Sequence, residues 1–403
     1  MSTTVRQEQQ HAVDEITEVA PGILRLQLPI NMPGLGHVNC YLLEDDRGFA
    51  VVDPGLPGDE AWAALMSGFK RASVPLRRIH TVVVTHSHPD HYGGAGPLRA
   101  ETGADIVSHR AFRLMFALNP SDSDTSDTAG MAGMAGMAGM AGMAGTAGMA
   151  GMAGMADIGA DIDPEQLAEA DPSGNPLSAT TPRGHHGMKT PWGSTPFVPM
   201  SSGDREKNLW SGYRLDPHPT VRLDDADHIM LAGRRWVAIH TPGHTIDHLC
   251  LFDPECGVFL SGDHVLPTIT PHIGGVAEGP DPLNDYFVSL RRVATLPQVA
   301  TVLPAHGHPF TDLSNRVEAI IEHHHDRLVR LSDVSAELDR PGTVRDYMKF
   351  LFRERSWGSM AESETYAHLE HLRLLDQATA EWVNDELEYQ VHHPLPMSVL
   401  TGD

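Results

Sequence analysis

Cysteine is almost missing from this chain: 403 residues carry only Cys40, Cys250 and Cys256, and no two of them form a C-x-x-C pair. So few thiols, and an odd number of them, argue against a disulfide framework and for a reducing compartment. Cys40 and Cys250 lie in apolar, strand-like runs and are expected to be small buried side chains. Positive charge is scarce as well. Lys and Arg number 29 against 53 Asp and Glu, a formal net charge of −24. That balance favours solubility and repels phosphate backbones, so a nucleic-acid partner would need a local basic patch, and none stands out. No apolar run approaches the length of a membrane span. The opening MSTTVRQEQQHAVDEITEV is polar and has no apolar signal-like core. These absences lead to the expectation of a soluble cytoplasmic protein with no membrane association.

What is present centres on TVVVTHSHPDHYGG, residues 81–94. The β-branched run Thr81 to Thr85 reads as a buried strand that stops in a polar loop holding His86, His88, Asp90 and His91. Neutral imidazoles with a carboxylate suit zinc or a similar first-row metal. Residues two apart in an extended loop point the same way, so His86 and His88 can grip one ion. Asp90 and His91, past the bend at Pro89, can face a second. A solvated loop rarely concentrates four such side chains in six residues after an apolar strand.

The length allows two or three domains. Residues 1–15 read as a loose, flexible polar lead-in. From residue 16 to 118 strands and helices alternate: GILRLQLPI, HVNCYLLED and GFAVVDPG as strands, AWAALMSGFKRA as an amphipathic helix, then the central strand. GPLRAETG follows as a short helix, and GADIVSHRAFRLMFAL as a strand with a further helical stretch. Residues 119–213 break the pattern with Met-Ala-Gly triplets over 129–156, then acidic and Pro-rich sequence. A glycine in every triplet costs a helix about 1 kcal/mol each, so this reads as a partly disordered, repeat-expanded insertion. Methionine sulfur with His185 and His186 raises the alternative of soft-metal capture. Trp192, Phe197, Trp210 and Tyr213 offer material for a lid. Regular structure resumes over 214–311, and 312–403 reads as helices followed by a hairpin, EWVNDELEYQVH.

Three further ligand candidates each sit just past a β run: His244 in VAIHTPGHT, Asp263 in VFLSGDHV and His306 in TVLPAHGHP. With His86, His88, Asp90 and His91, in this order, the sequence resembles the metallo-β-lactamase fold superfamily from Glu15 to Phe310 apart from the insertion. The resemblance implies an α/β protein, an αββα sandwich with a two-metal site on one edge. It assigns His86, His88 and His244 to one ion and Asp90, His91 and His306 to the other, with Asp263 bridging. Asp53 in VVDPG resembles the family's supporting aspartate, which orients metal-binding groups. GDHVLPTITPHIG, TPGHTIDH and the tail with HHHDR are similar to the lactamase-β-like branch, whose C-terminal domain is winged-helix-like. Relatives in that branch include thioesterases, other ester hydrolases and a single-strand ribonuclease.

The implied chemistry is hydrolysis by a metal-bridging hydroxide, with two divalent ions (zinc first, iron or manganese also suiting these ligands) and Asp90 orienting the hydroxide or moving its proton. The expected partner is a small-molecule acyl substrate: a thioester, ester or lactone. A ribonuclease is disfavoured by the acidic charge, and a metal-sequestering protein is suggested only by the 25 His and 18 Met. A mononuclear iron oxygenase would not need Asp263 and His306, and the fold name alone does not imply a β-lactamase. His248 and His264 are expected to support or wall the site. His323, His324 and Arg327 either reach a substrate anion from the tail or form an exposed helix face. The acidic tail suits packing, homodimerisation or substrate closure better than DNA binding.

Overall fold

The computed structural model describes residues 6–32, 34–113, 188–193, 196–197, 218–275, 279–396 and 399. Strands β1 (Thr17–Ala20), β2 (Ile23–Met32), β3 (Leu35–Asp45) and β4 (Gly48–Val52) form an antiparallel series. Helix α1 (Asp59–Arg71) crosses to β5 (Ile79–Val83), and the short helices α2 (Pro89–Tyr92) and α3 (Ala95–Thr102) cross to β6 (Asp105–His109). Strands β7 (Met188–Lys189) and β8 (Pro196–Phe197) make a two-stranded ribbon, and β9 (Val221–Leu223) completes a seven-stranded sheet ordered β1-β2-β3-β4-β5-β6-β9. β4, β5, β6 and β9 run parallel.

A second sheet holds β10 (His228–Leu231), β11 (Arg234–His240), β12 (Leu249–Asp253), β13 (Val258–Gly262) and β14 (Thr301–Pro304), in that order. Its first four strands are antiparallel and β14 runs parallel to β13. Helix α4 (Pro282–Ala294) connects them, with the Asp281 carboxylate capping it at Asn284 N. The chain ends in α5 (Leu313–Leu338), β15 (Gly342–Thr343), α6 (Val344–Leu351), α7 (Ser359–Leu374), β16 (Ala378–Val383) and β17 (Glu386–Val391). The tail strands pair in the order β15-β17-β16.

Two-residue alternation explains the layering. In β3, Val38, Cys40 and Leu42 face α1 and α3, while Tyr41 and Leu43 face the second sheet. In β12, Leu249 and Leu251 face the first sheet, while Cys250 and Phe252 face α4 and α5. The result is helices, sheet, sheet, helices, the αββα arrangement expected. Cys40 and Cys250 are buried as expected, and Cys256 is exposed.

The structure corrects several expectations. Residues 6–10 are not a loose lead-in: Gln7–Gln9 form a 3₁₀ turn and Glu8 is fully buried. Its carboxylate accepts hydrogen bonds from Thr268 N and Ile269 N, so a polar stretch of sequence concealed a satisfied interior group. The stretch ETYAHLEHLRLLDQATA reads from the sequence as one helix, but α7 stops at Leu374 and residues 378–383 form β16. The Met-Ala-Gly run, His185, His186, Trp210, Tyr213 and most of the helical stretch after β6 lie outside the described residues. Trp192 is described and is buried, its Nε1 donating to Glu362 Oε2 at 3.0 Å and its ring against Tyr366 of α7. It packs on the tail helices. Among the described residues no helix is long and apolar enough to cross a membrane.

Trp236 is fully buried between the sheets, with its Nε1 donating to Leu231 O at 3.0 Å. Trp236→Ala is expected to lower the unfolding free energy by about 3–5 kcal/mol, measured by denaturant titration.

Candidate metal centre

Every candidate ligand loop opens at one edge of the two sheets. Asp53 follows β4, His86 and His88 follow β5, and Asp90 and His91 ride on the single turn α2, which Pro89 starts. Asp263 follows β13, His306 follows β14, and His244 sits in the β11–β12 connection. Two glycines make this possible. A Cβ on Gly93, just past His91, would come within 2.0 Å of Pro57 N. Gly262 adopts φ +52°, and a Cβ there would lie 2.7 Å from His248 Nε2, immediately before Asp263.

The ligand atoms converge. His86, His88, His244 and Asp263 form one buried group whose ligand atoms lie within 4.8 Å of one another, and Asp90, His91 and His306 form another. His86 Nε2 is 2.8 Å from His88 Nδ1, which is 3.1 Å from His244 Nε2. Asp263 Oδ2 lies 3.6 Å from His86 Nε2, 3.7 Å from His244 Nε2 and 3.2 Å from His91 Nε2. Its Oδ1 lies 3.5 Å from His306 Nε2. Asp90 Oδ2 is 3.4 Å from His91 Nε2 and 3.5 Å from His306 Nε2. Neighbouring ligands on a tetrahedral zinc, with bonds of about 2.0–2.1 Å, stand about 3.3 Å apart, so the donor set fits divalent cations. Burial first, then the nearby His91, His88, His248 and His244, holds His86 well below the ordinary imidazole range. It is therefore in the neutral form that ligates.

The second nitrogen of most rings is tied to the scaffold. His91 Nδ1 donates to Asp53 Oδ2 at 3.0 Å, and Asp53 also accepts from Thr85 N and Thr85 Oγ1. Asp53 thus has the supporting place that the resemblance implied. His244 Nδ1 lies 2.8 Å from the His272 carbonyl and His306 Nδ1 2.7 Å from the His37 carbonyl, both donating. His248 is in neither group: its Nε2 accepts from Asp263 N and its Nδ1 meets Thr241 Oγ1, so it steadies the Asp263 turn. His264, also in neither group, is buried edge-on to Tyr286. Such contacts orient ligands and raise their basicity.

The tail residues correct one of the alternatives. His324 and Arg327 are buried, so α5 does not present them as an exposed face. His324 Nδ1 faces His368 Nε2 at 3.0 Å, and Arg327 Nη1 pairs with Glu364 Oε1 at 2.9 Å. Burial would raise the Glu364 carboxyl, but Arg327 and His272 outweigh it and hold it at about 2. His324, Glu364 and His368 have metal-compatible spacing, yet the Arg327 cation already neutralises the carboxylate. Buried polar pairing accounts for this cluster.

A sandwich of two mixed sheets with clustered His and Asp on loops at one edge is the architecture of metallohydrolase-type proteins. The chain belongs to the metallo-beta-lactamase superfamily, whose family model matches residues 33–190 and 189–306. Probable metallo-hydrolase YqjP of Bacillus subtilis (strain 168) is 30% identical over 206 residues, 48% of this chain and 62% of that protein. A hydroxyacylglutathione hydrolase of Albidiferax ferrireducens is 35% identical over 77 residues, 19% of this chain and 27% of that protein. Atrochrysone carboxyl ACP thioesterase of Aspergillus fumigatus is 29% identical over 124 residues, 30% of this chain and 28% of that protein. The chain thus spans well under the full length of these curated relatives. A metallo-beta-lactamase family protein of Thermus thermophilus superposes with TM-score 0.62 at 24% identity, covering 93% of this chain and 100% of that one. A beta-lactamase domain protein of Burkholderia ambifaria does so with TM-score 0.63, also at 24% identity, over 94% and 95%. These two likenesses establish the fold.

Sequence reasoning missed Asp247, His37 and His272. Asp247 is buried beside the site and accepts from Ser87 Oγ at 3.2 Å; burial pushes its carboxyl up, opposed by Thr245, His88 and Ser87. Its place in TPGHTIDH was the available signal. His37 and His272 act on ligands through main-chain oxygens, which no side-chain motif reveals. Asp53→Ala is expected to weaken divalent-metal binding about 10–100-fold without unfolding the chain, read by chelator competition alongside circular dichroism.

Proposed function

We propose that this chain is a dinuclear metal hydrolase that cleaves a small thioester, ester or lactone. The observation that carries this reading is the Asp263 carboxylate, which faces both ligand groups: Oδ2 lies 3.2 Å from His91 Nε2 and 3.6 Å from His86 Nε2, and Oδ1 lies 3.5 Å from His306 Nε2. His86, His88 and His244 would hold one ion, Asp90, His91 and His306 the other, and Asp263 would touch both. Zinc suits this imidazole and carboxylate set, and iron or manganese are also compatible with it. A pair of such ions, when bound, lowers the pKa of a shared water from about 15.7 toward 7 and polarises the scissile carbonyl.

The protein's own part is to place groups. Asp90, between His91 and His306, orients the attacking water and takes its proton. Asp53 keeps the His91 proton on Nδ1 and so leaves Nε2 for the metal. The acyl substrate class is supported by the relatives named as a hydroxyacylglutathione hydrolase and an ACP thioesterase. The net charge of −24 weighs against single-stranded RNA. Helices α5, α6 and α7 with the β15–β17 sheet support a winged-helix-like reading of the tail, and Trp192 docked on α7 supports a packing role for it.

Zinc-loaded protein is expected to hydrolyse an acyl-CoA-type thioester, with His86→Ala abolishing turnover. Asp263→Asn is expected to lower bound zinc and turnover together. Two bound ions with no thioester turnover would remove the thioester reading and bring lactones and RNA forward.

A further inference from the structure

His244 and His306, one from each ligand group, are oriented in the same way: Nδ1 donates to a main-chain carbonyl supplied by another histidine. Those two histidines also share a second property, which is that each ring is tied to an end of the chain lying outside the family-matched residues 33–306. The His37 ring spans from the N-terminal turn to the His306 loop. Its Nδ1 is 2.7 Å from Gln10 O, and its Nε2 accepts from Gly307 N at 3.2 Å. Gln7 Oε1 accepts from His308 N in the same loop, and Gln10 Oε1 stands 3.0 Å from His308 Nε2. The N-terminal turn is therefore a strap across the loop that carries His306.

The His272 ring works on the other side. Its Nδ1 meets Glu364 Oε2 of α7 at 3.1 Å, and Glu364 is itself fixed by Arg327 of α5 at 2.9 Å. A little further on, Gly275 N donates to Ser363 O and Ser363 Oγ of the same helix. Residues 264–275 lie between β13 and α4 and have no ladder of their own; besides these contacts with α7, they are held by Arg316 of α5, which donates to Leu266 O and Ile269 O, by Tyr286 of α4 at His264 O, and by Glu8 at Thr268 and Ile269.

We propose that His37 and His272 are positioning residues, each of whose rings ties one half of the metal centre to a segment outside the family-matched residues: His37 ties the His306 half to the N-terminal strap, and His272 ties the His244 half to the tail helices, while Glu8 of the strap also holds the segment before His272. Each offers a carbonyl to a ligand and anchors that carbonyl with its own ring. An anchored acceptor holds the donor imidazole in one tautomer and one orientation, which raises metal affinity. Because the two rings share no anchoring partner, loss of one leaves the other half in place.

This coupling rests on the two-ion reading above, and one measurement separates the two. Crystals of the full-length protein, soaked at graded zinc concentrations, give a refined anomalous occupancy for each half. Two zinc peaks in the wild type uphold the two-ion reading, and a single peak removes it whatever the variants do. His37→Ala is expected to require about ten-fold more zinc to fill the Asp90, His91 and His306 half, leaving the His86, His88 and His244 half at its wild-type level. His272→Ala is expected to show the reverse. The coupling is overturned if either variant, folded, fills both halves at wild-type zinc levels, or weakens both halves equally. If an alanine variant does not fold, His37→Leu or His272→Leu, which keeps apolar bulk but has no polar atom to meet the same partner, is held to the same criterion.

Discussion

Five imidazoles and two carboxylates share one buried space, and keeping them pointed at a common centre is the constraint on which the rest of the structure turns. His86, His91, Asp263 and His306 have no measurable exposure, and Asp90 and His244 almost none. Rings whose nitrogens approach to 2.8 and 3.1 Å without a shared proton repel one another. Carboxylates removed from water are costly unless charge or hydrogen bonds compensate. Bound cations would supply the attraction, and the scaffold supplies the aim: Asp53 for His91, a main-chain oxygen for His244 and another for His306.

The sandwich is well suited to this task. β4 and β5 run parallel in one sheet and β13 and β14 in the other, so four loops leave at the same edge carrying Asp53, the His86–His91 cluster, Asp263 and His306. His244 joins them from a hairpin connection, beside a glycine at 243 with φ +136° that packs against Tyr286. Side chains alternate between the two faces from Val38 to Leu43 of β3 and along β12, which locks register, since a one-residue slip would carry these apolar side chains to the wrong face.

Most of this was legible in the sequence because the informative residues are side chains at strand ends. The β-branched run before His86, the Pro-Gly turn before His244 and the Gly before Asp263 each announce a strand that stops at a ligand. The illegible parts share a cause. Glu8 reads as one more polar residue in a polar lead-in, and only the Thr268 and Ile269 amides reveal why it is buried. His324 and Arg327 look like a charged helix face until Glu364 and His368, far along the chain, are brought opposite them. His37 and His272 contribute through backbone oxygens, which every residue possesses. Long-range pairing and main-chain chemistry leave no local pattern to read.

The ligands are dispersed from His86 to His306, across both sheets and several chain crossings. No single hairpin or helix pair can assemble either group, so neither exists until the two halves of the sandwich have met. A complete ligand group is then a property of the finished fold, and each ion bound there would add stability by mass action, about 2.7 kcal/mol when free metal is about a hundred times its dissociation constant and the unfolded chain does not compete for it. The ions would act as late-set rivets between the sheets: absent from early folding, and slowing separation of the halves once in place.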